Sequence, residues 1–133
     1  FVMCTHLHVD HVGWNTQLKD GRWVPTFPNA RYLFHKAEYA HWERTEAGAD
    51  RSGGQDGCFS DSVLPVVEAG QALLIADGHP IEDGLTVTPS PGHSPGHVCL
   101  DLQSGGRRAV LINNLIAGSK ECFINQLNTI HGP

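Results

Sequence analysis

Positive charge is scarce in this chain. Nine Lys and Arg stand against fourteen Asp and Glu in 133 residues, a formal net charge of −5 with histidine neutral. No basic run and no basic patch interleaved with aromatics occurs, so a nucleic-acid partner finds no electrostatic footprint. Long apolar runs are absent too. None approaches the roughly 20 residues that span a bilayer, and no signal-peptide pattern opens the sequence. No membrane partner is expected, and a cytoplasmic setting is favoured. The four cysteines, Cys4, Cys58, Cys99 and Cys122, form no Cys-x-x-Cys pair. That spacing points to reduced thiols rather than a disulfide framework, with Cys4 and Cys99 as core filler in strand-like runs. A Gly-x-Ser-x-Gly elbow is also missing, which removes the commonest serine nucleophile.

Histidine is what the chain has. Two clusters stand out, His6-Leu7-His8-Val9-Asp10-His11 and Pro91-Gly92-His93-Ser94-Pro95-Gly96-His97. Three imidazoles and a carboxylate within six residues suit a borderline metal such as zinc, which takes neutral His nitrogens and Asp oxygens. In an extended segment side chains two apart share a face, so His6 and His8 can grip one ion. Asp10 follows at the same parity. His11 falls on the other parity and needs a turn to reach a neighbouring site, so one stretch could feed two adjacent metals. A His-rich surface loop is the plain alternative.

The His-x-His-x-Asp-His string and the later Gly-His loop together resemble the signature of the metallo-β-lactamase-fold hydrolases. The Ser62–Gly70 stretch and the long spacing from His11 to His93 resemble the branch of lactonase-like and organophosphate (methyl parathion) hydrolase-like enzymes. The resemblance runs from about Phe1 to about Ile112. It implies an α/β (α+β) fold, part of a four-layer αββα sandwich, and a metal-dependent hydrolase acting on a small-molecule substrate. His6, His8 and His93 would hold a first metal, Asp10 and His11 a second. Zn2+ is the expected ion, with Mn2+ or Fe2+ as substitutes. Two metals about 3.5–4 Å apart lower the pKa of a shared water toward about 7. Asp10 would orient that hydroxide and pass a proton to the leaving group. His97 would stand behind the ligands.

The sequence departs from the family pattern in three places. Asn113-Asn114 stands where the family carries Gly-Asp, and Asn114 would be a weak, uncharged replacement for the bridging carboxylate. Two dications without that carboxylate repel each other, so the second site should weaken most. The family's last histidine has no equivalent, because His131 follows Asn114 too soon. The chain also opens at Phe1, on the strand that delivers the metal motif. We therefore expect a fragment, with residues 1–114 a partial domain and 115–133 a divergent tail that is either a short packed helix or an accidental reading frame. Alternatives to catalysis follow from these departures: a degenerate remnant that binds one metal and turns nothing over, or an interaction module that self-associates through an uncovered sheet.

Along the chain, residues 1–5 read as a buried strand and Gly13-Trp14-Asn15 as a helix start. Residues 19–29 read as a surface loop, 31–35 as a strand, and 36–46 as a helix with Ala37, Ala40 and His41 on one side. Gly48–Gly57 reads as a loop. Ser60 or Asp61 would cap a helix from Ser62 to Ala69, stopped by Gly70. Strands are expected at 71–76, 85–89, 97–102 and 108–113, mostly with antiparallel neighbours. His35, His41 and His79 read as ordinary surface, helix or turn residues. Trp14, Trp23, Phe27 and Trp42 read as core or loop anchors, with Trp14 and Trp23 flanking the metal loop as walls of an apolar pocket.

Overall fold

The structure, a computed structural model, describes residues 1–47 and 57–112. Asn113, Asn114, His131, Cys122 and the 115–133 tail lie outside the described residues, as does most of the expected Gly48–Gly57 loop. Strand β1 (Val2–Met3) pairs in parallel with β4 (Tyr32–His35), and β4 pairs in parallel with β5 (Ala72–Ile75). A second sheet is antiparallel: β6 (Pro80–Glu82), β7 (Leu85–Pro89), β8 (Val98–Ser104) and β9 (Arg107–Leu111), in that order. Helix α2 (Lys36–Ala47) follows β4, and two short helices, α3 (Cys58–Ser62) and α4 (Leu64–Glu68), precede β5.

Strand β4 shows how the layers stack. All four of its residues are buried, as expected for a strand covered on both faces. Tyr32 and Phe34 point one way, into a core with Cys4, Leu7, Val12, Trp42, Phe59, Val63 and Val66. Leu33 points the other way, into a core with Ile75, Val87 and Val98. The period of two therefore sends alternate residues to helices on one side and to the antiparallel sheet on the other. Three consecutive layers result: helices, parallel sheet, antiparallel sheet.

The expected strands at 31–35, 71–76, 85–89, 97–102 and 108–113 are present within a residue or two, and four of the six pairings are antiparallel. Several expectations need correction. Residues 19–29 are not all loop: β2 (Thr16–Lys19) and β3 (Arg22–Pro25) form a hairpin with Lys19 opposite Arg22. Its two-residue turn, Asp20-Gly21, has φ of 50° and 73°, the positive pair that a type I′ turn requires. The prolines at 25 and 28 masked that signal. Strand β6 was also missed, just before the Asp83-Gly84 turn.

The helix expected from Ser62 to Ala69 breaks in two at Val63. Pro65 has no N–H to donate to the carbonyl of Asp61, and that carbonyl instead accepts a hydrogen bond from Thr16 Oγ1 at 2.8 Å. Ser60 and Asp61 lie inside α3 rather than at a cap, and α4 has no side-chain cap. Gly70, at φ 70°, does end α4. Gly13-Trp14-Asn15 closes a helical segment rather than opening one. It forms a 3-10 turn after α1 (Val9–Val12) and leads into β2. Cys4, Cys58 and Cys99 are buried, as expected of core thiols.

Candidate metal centre

Strand β1 ends at Met3, and the next residues carry the chain over the C-terminal edge of the parallel sheet. Leu7 is buried in the helix-side core and pins the segment between His6 and His8. Val9–Val12 then turns helical, which brings His11 back beside His6, with ring centroids 4.2 Å apart. That is the turn the parity of His11 calls for. The second histidine loop joins β7 to β8. It is tied to the first by a hydrogen bond from Val98 N to the Thr5 carbonyl at 3.0 Å.

The two loops place five imidazoles together. Centroids of His6 and His8 lie 4.6 Å apart, His6 and His93 4.8 Å, His8 and His93 4.6 Å, and His6 and His97 5.0 Å. One nitrogen from each of His6, His8 and His93 lies within 4.8 Å of the others. Two nitrogens on one zinc, at about 2.1 Å each, are at most about 4.2 Å apart. Around a tetrahedral ion they are about 3.4 Å apart, so the cluster needs a contraction of up to about 1.4 Å to ligate.

His6 is the buried member, 1% exposed. Its Nδ1 shares a hydrogen bond with Thr5 Oγ1 at 3.1 Å, and its Nε2 is buried with no hydrogen-bond partner among the described residues. An orphaned ring nitrogen inside a cluster of imidazoles fits a metal, since a buried polar atom left unmatched costs roughly 1–3 kcal/mol. Burial and then the rings of His11, His8, His97 and His93 push the His6 pKa down to about 3. His8 is shifted the same way by burial and by His93. Both rings are therefore neutral near pH 7, the form that ligates.

Asp10 lies on the exposed side of the cluster, with its carboxylate 3.2 Å from His11 Nε2. The structure brings Asp10 and His11 together next to His6, as one paired unit. His97 is 2% exposed and sits behind His6. Trp14 is 72% exposed and Trp23 38%, with Trp23 facing Leu18 across the hairpin. Trp42 is a core residue, and its ring meets that of His8 at 5.2 Å.

One residue that the sequence reading passed over, Glu38, and one that it read as ordinary, His35, matter here. Helix α2 buries Glu38 and Trp42, four apart, while Ala37 is exposed, so its inner face is not the one expected from Ala37, Ala40 and His41. A carboxylate four residues before a tryptophan on a helix facing the core was the available signal. His35 is not a surface residue. It is buried at the end of β4, with Nε2 3.0 Å from Asp77 Oδ1 and Nδ1 accepting the Ala37 N–H at 3.3 Å.

The model of the metallo-beta-lactamase superfamily matches residues 1–107. With that match and this layered fold, the chain belongs to the metallo-β-lactamase superfamily. It is 25% identical over 127 residues to an N-acyl homoserine lactonase of Bacillus cereus and 24% identical to one of Bacillus thuringiensis, covering 96% of this chain and 42% of each relative. The chain thus spans less than half the length of these relatives. Among solved structures it superposes on the hydrolase AbOPH of the beta lactamase superfamily with a TM-score of 0.69, at 24% identity over 86% of this chain and 40% of that one. A probable metal-dependent hydrolase from Staphylococcus aureus gives 0.62 at 26% identity, over 82% and 36%. No helix among the described residues is long and apolar enough to cross a membrane.

Proposed function

We propose that this chain supplies most of the metal centre of a metal-dependent hydrolase acting on a small ester, lactone or phosphotriester, with lactones favoured by the lactonase relatives. The observation that carries the reading is the triad His6, His8 and His93, with the buried Nε2 of His6 lacking a hydrogen-bond partner among the described residues. These three would hold the first ion, and Asp10 with His11 would offer a second, weaker place. Zinc suits this donor set of neutral imidazoles. Bound there, it would act as a Lewis acid and lower the pKa of water.

The chain's own residues do the rest. Thr5 Oγ1 holds His6 Nδ1, which fixes the ring and leaves Nε2 toward the cluster. Asp10, 62% exposed and 3.2 Å from His11 Nε2, would take a proton from attacking water and return it to the leaving group. Trp14 and Trp23 are exposed and would offer apolar surface to the acyl part of a substrate.

Metal analysis and turnover test the reading together. The purified chain should retain close to one equivalent of zinc, manganese or iron, and lose it on His8→Ala. The protein carrying the chain should open a lactone faster than it cleaves a phosphotriester. A chain that binds well under one equivalent of every ion overturns the metal site. A metal-loaded protein inert toward all three substrate classes leaves the single-metal, non-catalytic reading instead.

A further inference from the structure

We propose that Glu38 is a positioning residue, a single buried carboxylate that sets the distance between the two histidine loops. The inference rests on the metal reading of the His6, His8 and His93 cluster. Glu38 is 1% exposed and accepts four hydrogen bonds. Oε1 takes the backbone N–H of Leu7 at 3.1 Å and the indole N–H of Trp42 at 2.7 Å. Oε2 takes the Ser94 hydroxyl at 2.8 Å and the backbone N–H of Gly96 at 2.8 Å. Leu7 lies between His6 and His8, whereas Ser94 and Gly96 lie between His93 and His97. One oxygen therefore serves the first loop and the other serves the second.

Those four bonds fill the acceptor capacity of a carboxylate. Burial alone would raise its pKa, but the four donors outweigh it and hold the carboxyl below the ordinary glutamate range. Trp42, one turn further along α2, both donates to Oε1 and lays its ring against His8. Gly96 completes the arrangement. A Cβ there would collide with the backbone nitrogen, Cα and Cβ of Glu38, so only glycine lets the second loop settle on the start of α2. A hydrophobic residue at position 38 would fill the space equally well and orient neither loop. Together with the Val98 N–H to Thr5 carbonyl bond, the carboxylate ties together loops whose His8 and His93 lie 85 residues apart.

Glu38→Gln keeps the size, removes the charge and leaves an amide N–H facing a donor whichever oxygen it replaces. In the 133-residue chain its Co2+ affinity should fall about 10- to 100-fold, the range typical of partners that orient metal ligands. The cobalt absorption bands of the complex should change shape. Amide exchange at Leu7 and Gly96 in the metal-free chain should accelerate, a readout that needs no metal. Ser94→Ala should weaken cobalt less and speed exchange at the second loop only. A folded Glu38→Gln variant with parental affinity, spectrum and exchange overturns the proposal. If that variant does not fold, parental cobalt binding and exchange in Ser94→Ala overturn it instead. If the parent chain binds no cobalt, the metal reading fails by itself, and exchange at Leu7 and Gly96 alone decides whether Glu38 clamps the loops.

Discussion

The two histidine loops reach one cluster by different physical means. The first is held largely by packing: Leu7, Val12 and His6 are 2%, 0% and 1% exposed. The second crosses the surface, with Pro91, Gly92, His93 and Pro95 exposed and Gly92 at φ 148°. Its own backbone bonds are local, Ser90 N to the His97 carbonyl and Gly92 N to the Ser94 carbonyl. Beyond those it leans on polar contacts, chiefly to Glu38. A loop fixed by apolar burial resists local change, while a loop fixed by a few hydrogen bonds depends on each one. Perturbations should therefore separate the two.

The largest separation is expected at the ligands. His6→Leu and His93→Leu should each reduce zinc affinity by more than the about 100-fold that losing an outer partner costs. Stability of the metal-free chain should diverge. Replacing His6 removes a buried nitrogen that lacks a hydrogen-bond partner among the described residues, which costs roughly 1–3 kcal/mol when left unmatched, so His6→Leu should hold or raise stability in urea unfolding. His93→Leu, at an exposed position, should change it by less than about 0.5 kcal/mol. A marked loss of stability in His6→Leu would mean that imidazole packing, and not its unmatched nitrogen, dominates there.

Gly96→Ala comes next. The added methyl meets backbone at the start of α2, not the mobile end of a side chain, so the loop or the helix must shift. Overpacking of this kind costs about 1–3 kcal/mol. The damage should fall on the second loop, with amide exchange rising at Gly96 through Val98 and metal affinity lost through His93. Unfolding midpoints and site-resolved exchange would show whether the first loop keeps its protection.

The same contrast explains what the sequence disclosed. The metal motif, the reduced-thiol core and most strands were readable because they depend on local spacing: alternating apolar residues for strands and His-x-His for a ligand pair. The hairpin β2–β3 was readable in principle through Asp20-Gly21. The break at Val63 follows from Pro65 once Thr16 is known to take the Asp61 carbonyl, and Thr16 lies 45 residues away. The spacing of Glu38 and Trp42 hinted at a buried carboxylate, but its tie to two distant loops was not readable from local pattern. Its role exists only because α2 carries it under two loops that the chain order keeps far apart. Local spacing discloses candidate ligands and conceals the groups that would aim them.

His35 offers the finest test of the comparison, because it acts on the helix that holds both loops. It precedes Lys36, the first residue of α2, and its Nδ1 accepts the N–H of Ala37, satisfying one of the helix's unpaired donors. With Nδ1 accepting, Nε2 is the ring nitrogen that donates to Asp77. Removing this cap in His35→Ala should cost about 1 kcal/mol, the usual worth of a helix N-cap. Asp77→Asn keeps an acceptor for Nε2 at a 63% exposed partner, so it should cost no more than about 0.5 kcal/mol. Since Glu38 lies one turn beyond the cap, fraying there should speed exchange at Leu7 and at Gly96 by similar factors. Unequal factors would mean that the loops are held independently, and that the start of α2 does not carry them as one unit.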